Sequence, residues 1–181
     1  MFFGVKRFSD LQFLKKKHFE FDEEGNVSIF IPKSKTDPLG RGVTFEIMEE
    51  IGPFSVPKII KWYLGSLEGL KGDDHVLCKF SFSKSSRDGT RFLRGSPISY
   101  NSMRTQLKIA SQDLGFSYDV NLHEGRVGGA TASSLLGVPK RVIKKAGGWK
   151  SDAMVDLYCV DRDPGALVCR KLTQEFNKLL K

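Results

Sequence analysis

The sequence predicts an α+β fold, mainly helical, with a small antiparallel three-stranded sheet near the N-terminus. Two observations carry that reading. Residues 18–48 alternate apolar and polar side chains between turn-forming clusters, the period of two that suits strands. From Pro57 onward, apolar residues recur three and four positions apart, the period of a helix face. The chain has 181 residues, enough for one well-packed domain and short for two. No internal repeat, low-complexity tract or boundary divides 1–181.

Each element follows from its own pattern. In RFSDLQFLKKK, Phe8, Leu11 and Leu14 form a stripe that predicts a helix over 7–17, with Ser9 and Asp10 near its start. HFEF, the DEEGN turn and VSIFIP read as a hairpin, and VTFEIM, after the turn SKTDPLGRG, as a third strand. Ile59, Ile60, Tyr63, Leu64 and Leu67 share one helix face, and VLCKF is a short apolar run. Residues 81–96 (SFSKSSRDGTRFLRGS) read as a polar, basic, mobile loop. A helix over 99–114 ends at Gly115. After His123, VGGATASSLL predicts a helix rich in small residues, able to pack closely. VPKRVIKKAGG opens on Pro139 and stops at a glycine pair. Ser151 suits the cap of a short helix through SDAMVDLYCV, and ALVCRKLTQEFNKLLK reads as an amphipathic final helix.

Composition narrows the function classes. Lys+Arg number 29 against 21 Asp+Glu, a formal net charge of +8. That excess favours polyanionic partners, because each cation set on a phosphate releases counterions. No apolar run approaches the roughly 18 residues of a membrane helix. MFFGVKRF meets charge too soon for a signal peptide. The expectation is a soluble, intracellular protein whose favoured partner is nucleic acid, in the nucleus of a eukaryote or the cytoplasm of a prokaryote. Cys78, Cys159 and Cys169 stand far apart, with no spacing that suits zinc. No metal and no cofactor is expected, and His18 and His75 read as structural.

The last third holds an ordered set. His123 and Arg126 stand as H-x-x-R at the entry to a helix, three apart and so on one side of it. Trp149 follows in GGWKS and Tyr158 in DLYCV. Singly, each is an ordinary packing or surface residue; together, with GGAT just after the Arg, beyond Val127, they make a rare combination. The stretch LHEGRVGGATASSLLGVPKRVIKKAGGWKSDAMVDLY resembles the C-terminal signature of the tyrosine recombinases, the lambda-integrase family. Upstream, KRFSDLQFLKKKHF is similar to that family's R-x-x-D/E-L motif, with Arg7, Asp10 and Leu11 in register. IPKSKTDPLGRG lies between the second and third predicted strands, where the family holds a lysine; Lys35 is the closer match and Lys33 the reserve.

The resemblance covers essentially the whole chain, and it implies a fold, an activity and roles. The fold is the tyrosine-recombinase catalytic domain. The activity is site-specific cleavage and rejoining of double-stranded DNA through a 3′-phosphotyrosine, in recombination or in integration of a mobile element. Arg7 and Arg126 would stabilise the pentavalent phosphate, a guanidinium being always charged and forked. Tyr158 would be the nucleophile, Lys35 the acid for the leaving 5′-oxygen, and His123 a phosphate ligand that helps move the tyrosine proton. Trp149 stands where the family has His or Trp, and its indole N–H can only donate. Asp10 would orient Arg7. Lys33, the loop over 84–94 with Arg91 and Arg94, and Lys140, Arg141, Lys144 and Lys145 are expected to meet the DNA backbone; Lys15, Lys16 and Lys17 could equally be a solvated face.

In the family, more catalytic domain and a separate helical core-binding domain precede the first arginine. The expectation here is a chain lacking both. The terminal helix, 165–180, is expected to dock on a neighbour in a tetramer formed only on DNA. Other readings are a catalytically inactive, domesticated DNA-binding relative, a type IB topoisomerase, or a Cys/His hydrolase built on Cys159.

Overall fold

Capping and pairing in a computed structural model of the chain explain where each element starts and stops; the structure describes residues 4–35, 37, 39–49, 55–67, 69–82 and 90–159. Helix α1 (Phe8–Leu11) begins where the Asp10 carboxylate accepts the Arg7 backbone N–H at 3.1 Å. It makes a single turn, not the helix expected over 7–17. The chain leaves it because a neighbouring segment offers backbone partners: Lys16 N–H donates to the Asp74 carbonyl at 3.1 Å, Lys17 N–H to Gly72 at 3.0 Å, and Val76 N–H to Leu14 at 2.9 Å. A 3-10 turn over Lys16–His18 then leads into the sheet.

Strands β1 (Phe19–Phe21), β2 (Val27–Ile31) and β3 (Val43–Ile47) form the antiparallel sheet in that order, with Ile29 opposite Phe19 and Phe45. The alternation seen in the sequence sorts by face. Val27, Ile29 and Ile31 are buried with Leu14 and Ile47, while Ser28 and Phe30 face outward. Val56 and Ile60 of helix α2 (Val56–Ser66) cover this face, and Ser55 caps the helix by accepting the Lys58 N–H at 3.3 Å.

Residues 81, 82 and 90–96 differ from the mobile loop expected over 81–96. Strands β4 (Cys78–Phe82) and β5 (Thr90–Pro97) pair antiparallel, and residues 83–89 lie outside the described set. Backbone hydrogen bonds do not depend on side-chain polarity, so a charged, serine-rich sequence pairs as well as an apolar one.

The remaining helices follow the expectation: α3 (Tyr100–Asp113), α4 (Glu124–Leu135), α5 (Lys140–Gly147) and α6 (Asp152–Tyr158). Ser99 and Ser151 cap α3 and α6. Gly148 ends α5 with φ 64°, in the left-handed region that favours glycine. Buried Gly129 and Ala130 leave room for close packing of α4, and Ala130 clusters with Val5, Ile143, Trp149 and Val155. The architecture is thus mainly helical α+β with a small three-stranded sheet. Among the described residues no helix is long and apolar enough to cross a membrane. The final helix expected over 165–180 lies outside the described residues.

Candidate active site

Arg126 is the centre from which the site can be built. Its side chain is fully buried, at 0% exposure, where a charge survives only if its donors are paired. Nη1 donates to the Val5 carbonyl at 2.7 Å and Nη2 to the Gly147 carbonyl at 2.6 Å, while Nε has no hydrogen-bond partner among the described residues. Val5, a β-branched residue, takes φ 50°, a strained conformation, and its carbonyl is one of the two that Arg126 holds. Burial, helped by the charge of Arg7, lowers the Arg126 pKa to about 10, against the pull of Tyr158 and Asp10. The guanidinium still carries its charge at neutral pH.

Two aromatic rings roof it. The Trp149 ring centroid lies 4.1 Å from the guanidinium carbon and that of Tyr158 5.5 Å away, with the two rings 4.8 Å apart. The position of Trp149 depends on Gly147, where a Cβ would collide with the indole. The indole N–H is buried and has no hydrogen-bond partner among the described residues. Thr131 on α4 donates to the Tyr158 carbonyl at 3.0 Å and so ties the end of α6 to α4.

Tyr158 Oη and His123 Nε2 are 2.9 Å apart and hydrogen-bonded. His123 stands at the entry to α4, its N–H donating to Asn121 Oδ1 at 2.8 Å. Burial, with the charges of Arg126 and Arg7, holds its pKa below the usual histidine value, so the ring is neutral at neutral pH. Glu124, the next residue, is turned to Asn121, whose Nδ2 donates to it at 2.6 Å. Arg7 is partly exposed, and its Nη1 lies 3.8 Å from the buried Asp10 carboxylate.

The same architecture is found in solved structures. XerA recombinase matches 96% of this chain with a TM-score of 0.67 at 17% identity, over 53% of its own length. XerH site-specific recombinase, bound to difH substrate in a pre-cleavage complex, matches 88% with a TM-score of 0.63 at 20% identity, over 40% of its length. A lambda integrase dimer bound to a COC′ core site matches 90% with a TM-score of 0.55 at 19% identity, over 40% of its length. The chain has the tyrosine-recombinase catalytic fold. It spans about half or less of those recombinases. No family model and no curated protein matches the sequence.

Within this recombinase fold, His123, Arg126, Trp149 and Tyr158 meet, and Arg7 is close enough to act on the charges of His123 and Arg126. Lys33 and Lys35 are not brought in. Both are exposed in the connection between β2 and β3, and among the described residues neither makes a hydrogen bond or ion pair. Lys140 pairs with Asp156 at 2.6 Å and Lys144 with Asp152 at 2.6 Å, so these two bind α5 to α6 in the free chain. Arg141 and Lys145 are exposed. Arg91 and Arg94 lie on β5, but their side chains are outside the described residues. Sequence reasoning missed Lys6, Val5 and Thr131. A lysine beside an arginine reads as surface charge, and nothing in the spacing marks a backbone carbonyl as a ligand.

Proposed function

We propose that this chain breaks and rejoins double-stranded DNA through a phosphotyrosine at Tyr158, in site-specific recombination or in integration of a mobile element. The observation that carries the reading is the Tyr158 hydroxyl on His123 beside the charged Arg126. A neutral His123 can take the phenolic proton as the Tyr158 oxygen attacks phosphorus. The 5′-oxygen then leaves, and the phosphodiester is conserved as a phosphotyrosine, so no nucleotide is consumed. Attack by a 5′-hydroxyl reverses the step. Arg7 and Arg126 offset the charge of the pentavalent phosphate. The unpartnered Trp149 N–H and Arg126 Nε are two donors that a phosphate oxygen would satisfy. Lys35 remains the proposed acid for the 5′-oxygen; from its exposed position it has to swing onto the DNA. Lys33, Arg91, Arg94, Lys140, Arg141, Lys144 and Lys145 are proposed backbone contacts, Lys140 and Lys144 by exchanging their carboxylates for phosphates.

The test is a nicked suicide substrate, on which a phosphotyrosine adduct should accumulate and migrate as protein joined to DNA. The proposed step uses Tyr158, two arginines and a histidine, so the adduct should form in excess EDTA and without nucleotide. A strict Mg²⁺ requirement would favour a metal-assisted nuclease instead.

One observation favours a second reading, a DNA-binding relative that does not cleave. Arg126 is shut beneath Tyr158 and already holds two carbonyls. Reproducible, salt-dependent DNA binding with no adduct on any suicide substrate would select it. Under either reading the contacts are mostly electrostatic. Log affinity should fall with log salt at about −0.9 per phosphate contacted, with weak sequence preference. Salt-insensitive binding at nanomolar affinity for one sequence would defeat that expectation. A tetramer formed on DNA through 165–180 completes the proposal, and sedimentation of the free chain as a stable tetramer would defeat it.

A further inference from the structure

Lys6 is 9% exposed, and its ammonium donates to the Ala146 carbonyl at 2.8 Å, across 140 positions of sequence. The adjoining backbone is held by Arg126, which reaches the Gly147 carbonyl on one side and the Val5 carbonyl on the other. Two consecutive residues of the N-terminal segment are thereby cross-braced to two consecutive residues at the end of α5. One cation comes from the segment itself and the other from α4. The braced end of α5 turns through Gly148 directly into Trp149, whose ring lies over Arg126 and against Tyr158.

A lysine is a costly way to fill this space. Burial lowers its pKa, and Arg126 and Arg7 lower it further, while Asp10 on α1 opposes them. The Phe45 ring of β3, its centroid 5.6 Å from the ammonium, adds an apolar wall with a weak cation–π attraction. An apolar chain of equal length would avoid the desolvation, and replacing buried charge in this way is often neutral or stabilising. What the apolar chain lacks is the donor that holds Ala146.

We propose that Lys6 is a positioning residue: by holding the Ala146 carbonyl it fixes the end of α5, and so aligns Trp149 and Arg126 for phosphate. This rests on the strand-cleavage reading above, and Lys6 itself does not touch DNA.

Lys6→Met, which keeps the length and removes the donor, tests it in the full chain. A Trp62→Phe background leaves Trp149 as the one tryptophan, since the chain has two and Trp62 is 72% exposed. Three results are expected. Thermal unfolding stays near that of the parent. Emission of Trp149 moves to the red as its ring loses its fixed seat. The single-turnover rate of adduct formation on the suicide substrate falls by roughly ten- to a hundredfold, the scale of a misplaced reacting group, with DNA affinity and salt slope unchanged. A salt slope shallower by about one would make Lys6 a phosphate contact and overturn the proposal. Loss of the fold would make it a stability residue and overturn it too, as would parental emission together with a parental rate. A red shift with no adduct from parent or variant would leave the brace standing and remove the cleavage reading.

Discussion

Tyr158→Phe should abolish the covalent DNA adduct while leaving the fold and DNA affinity intact. The change removes one oxygen atom. The phenyl ring keeps its place against Trp149, at 4.8 Å between centroids, and against His123, at 5.1 Å. The Thr131 hydroxyl still donates to the backbone carbonyl of residue 158, since that bond does not involve the side chain. The hydrogen bond to His123 Nε2 is lost, a net loss of about 0.5–1.5 kcal/mol, together with the hydroxyl's interaction with the Arg126 guanidinium. The proposed chemistry, by contrast, loses its nucleophile outright. The comparison is made on a nicked suicide substrate, where the parent accumulates adduct and the variant gives none at any time. Unfolding temperature should fall by no more than a few degrees, at about 2–4 °C per kcal/mol, and salt-dependent binding should match that of the parent. Adduct from the Phe chain would show that a different side chain attacks, and would end the mechanism proposed here.

Much of this arrangement is legible in the sequence because local rules dictate it. Ser151 announces a helix start, and Gly115 and Gly148 helix ends, and all three act in those roles. The alternation in VSIFI fixes which face of β2 is buried. H-x-x-R spacing puts His123 and Arg126 on one side of the α4 entry. The misses share a different cause: tertiary partners outweighed local preference. Helix α1 stops after one turn because residues 72–76 offer backbone partners to the chain that follows Leu14. Strand β5 pairs with β4 although residues 90–96 read as loop. Lys35 lies in the connection between β2 and β3, where its motif puts it, exposed and with no hydrogen-bond or ion-pair partner among the described residues. Lys6 and Val5 are silent in sequence because what they contribute is a long-range hydrogen bond and a backbone carbonyl.

Arg7→Ala and Arg126→Ala should each lower the rate of adduct formation by at least about 10²-fold, the scale of removing one preorganised donor to a developing oxyanion. The two should differ in everything else. Arg7 is partly exposed and pairs loosely with Asp10, at 3.8 Å, so its loss should cost well under about 1 kcal/mol of stability. Arg126 satisfies the carbonyls of Val5 and Gly147 inside the fold. Truncation orphans both, at about 1–3 kcal/mol each, and removes the guanidinium on which Trp149 and Tyr158 rest. Arg126→Ala should therefore unfold at a clearly lower temperature, and its cleavage must be measured below that temperature. Arg126→Lys separates charge from geometry. A lysine restores the positive charge, but its single ammonium lacks the planar fork that spans two carbonyls and still presents Nε to a phosphate oxygen. Its rate should lie between those of Ala and the parent. A folded Arg126→Ala chain that cleaves at the parental rate would make this arginine a structural brace alone, and the phosphate would then have to be met by Arg7, His123 and Trp149.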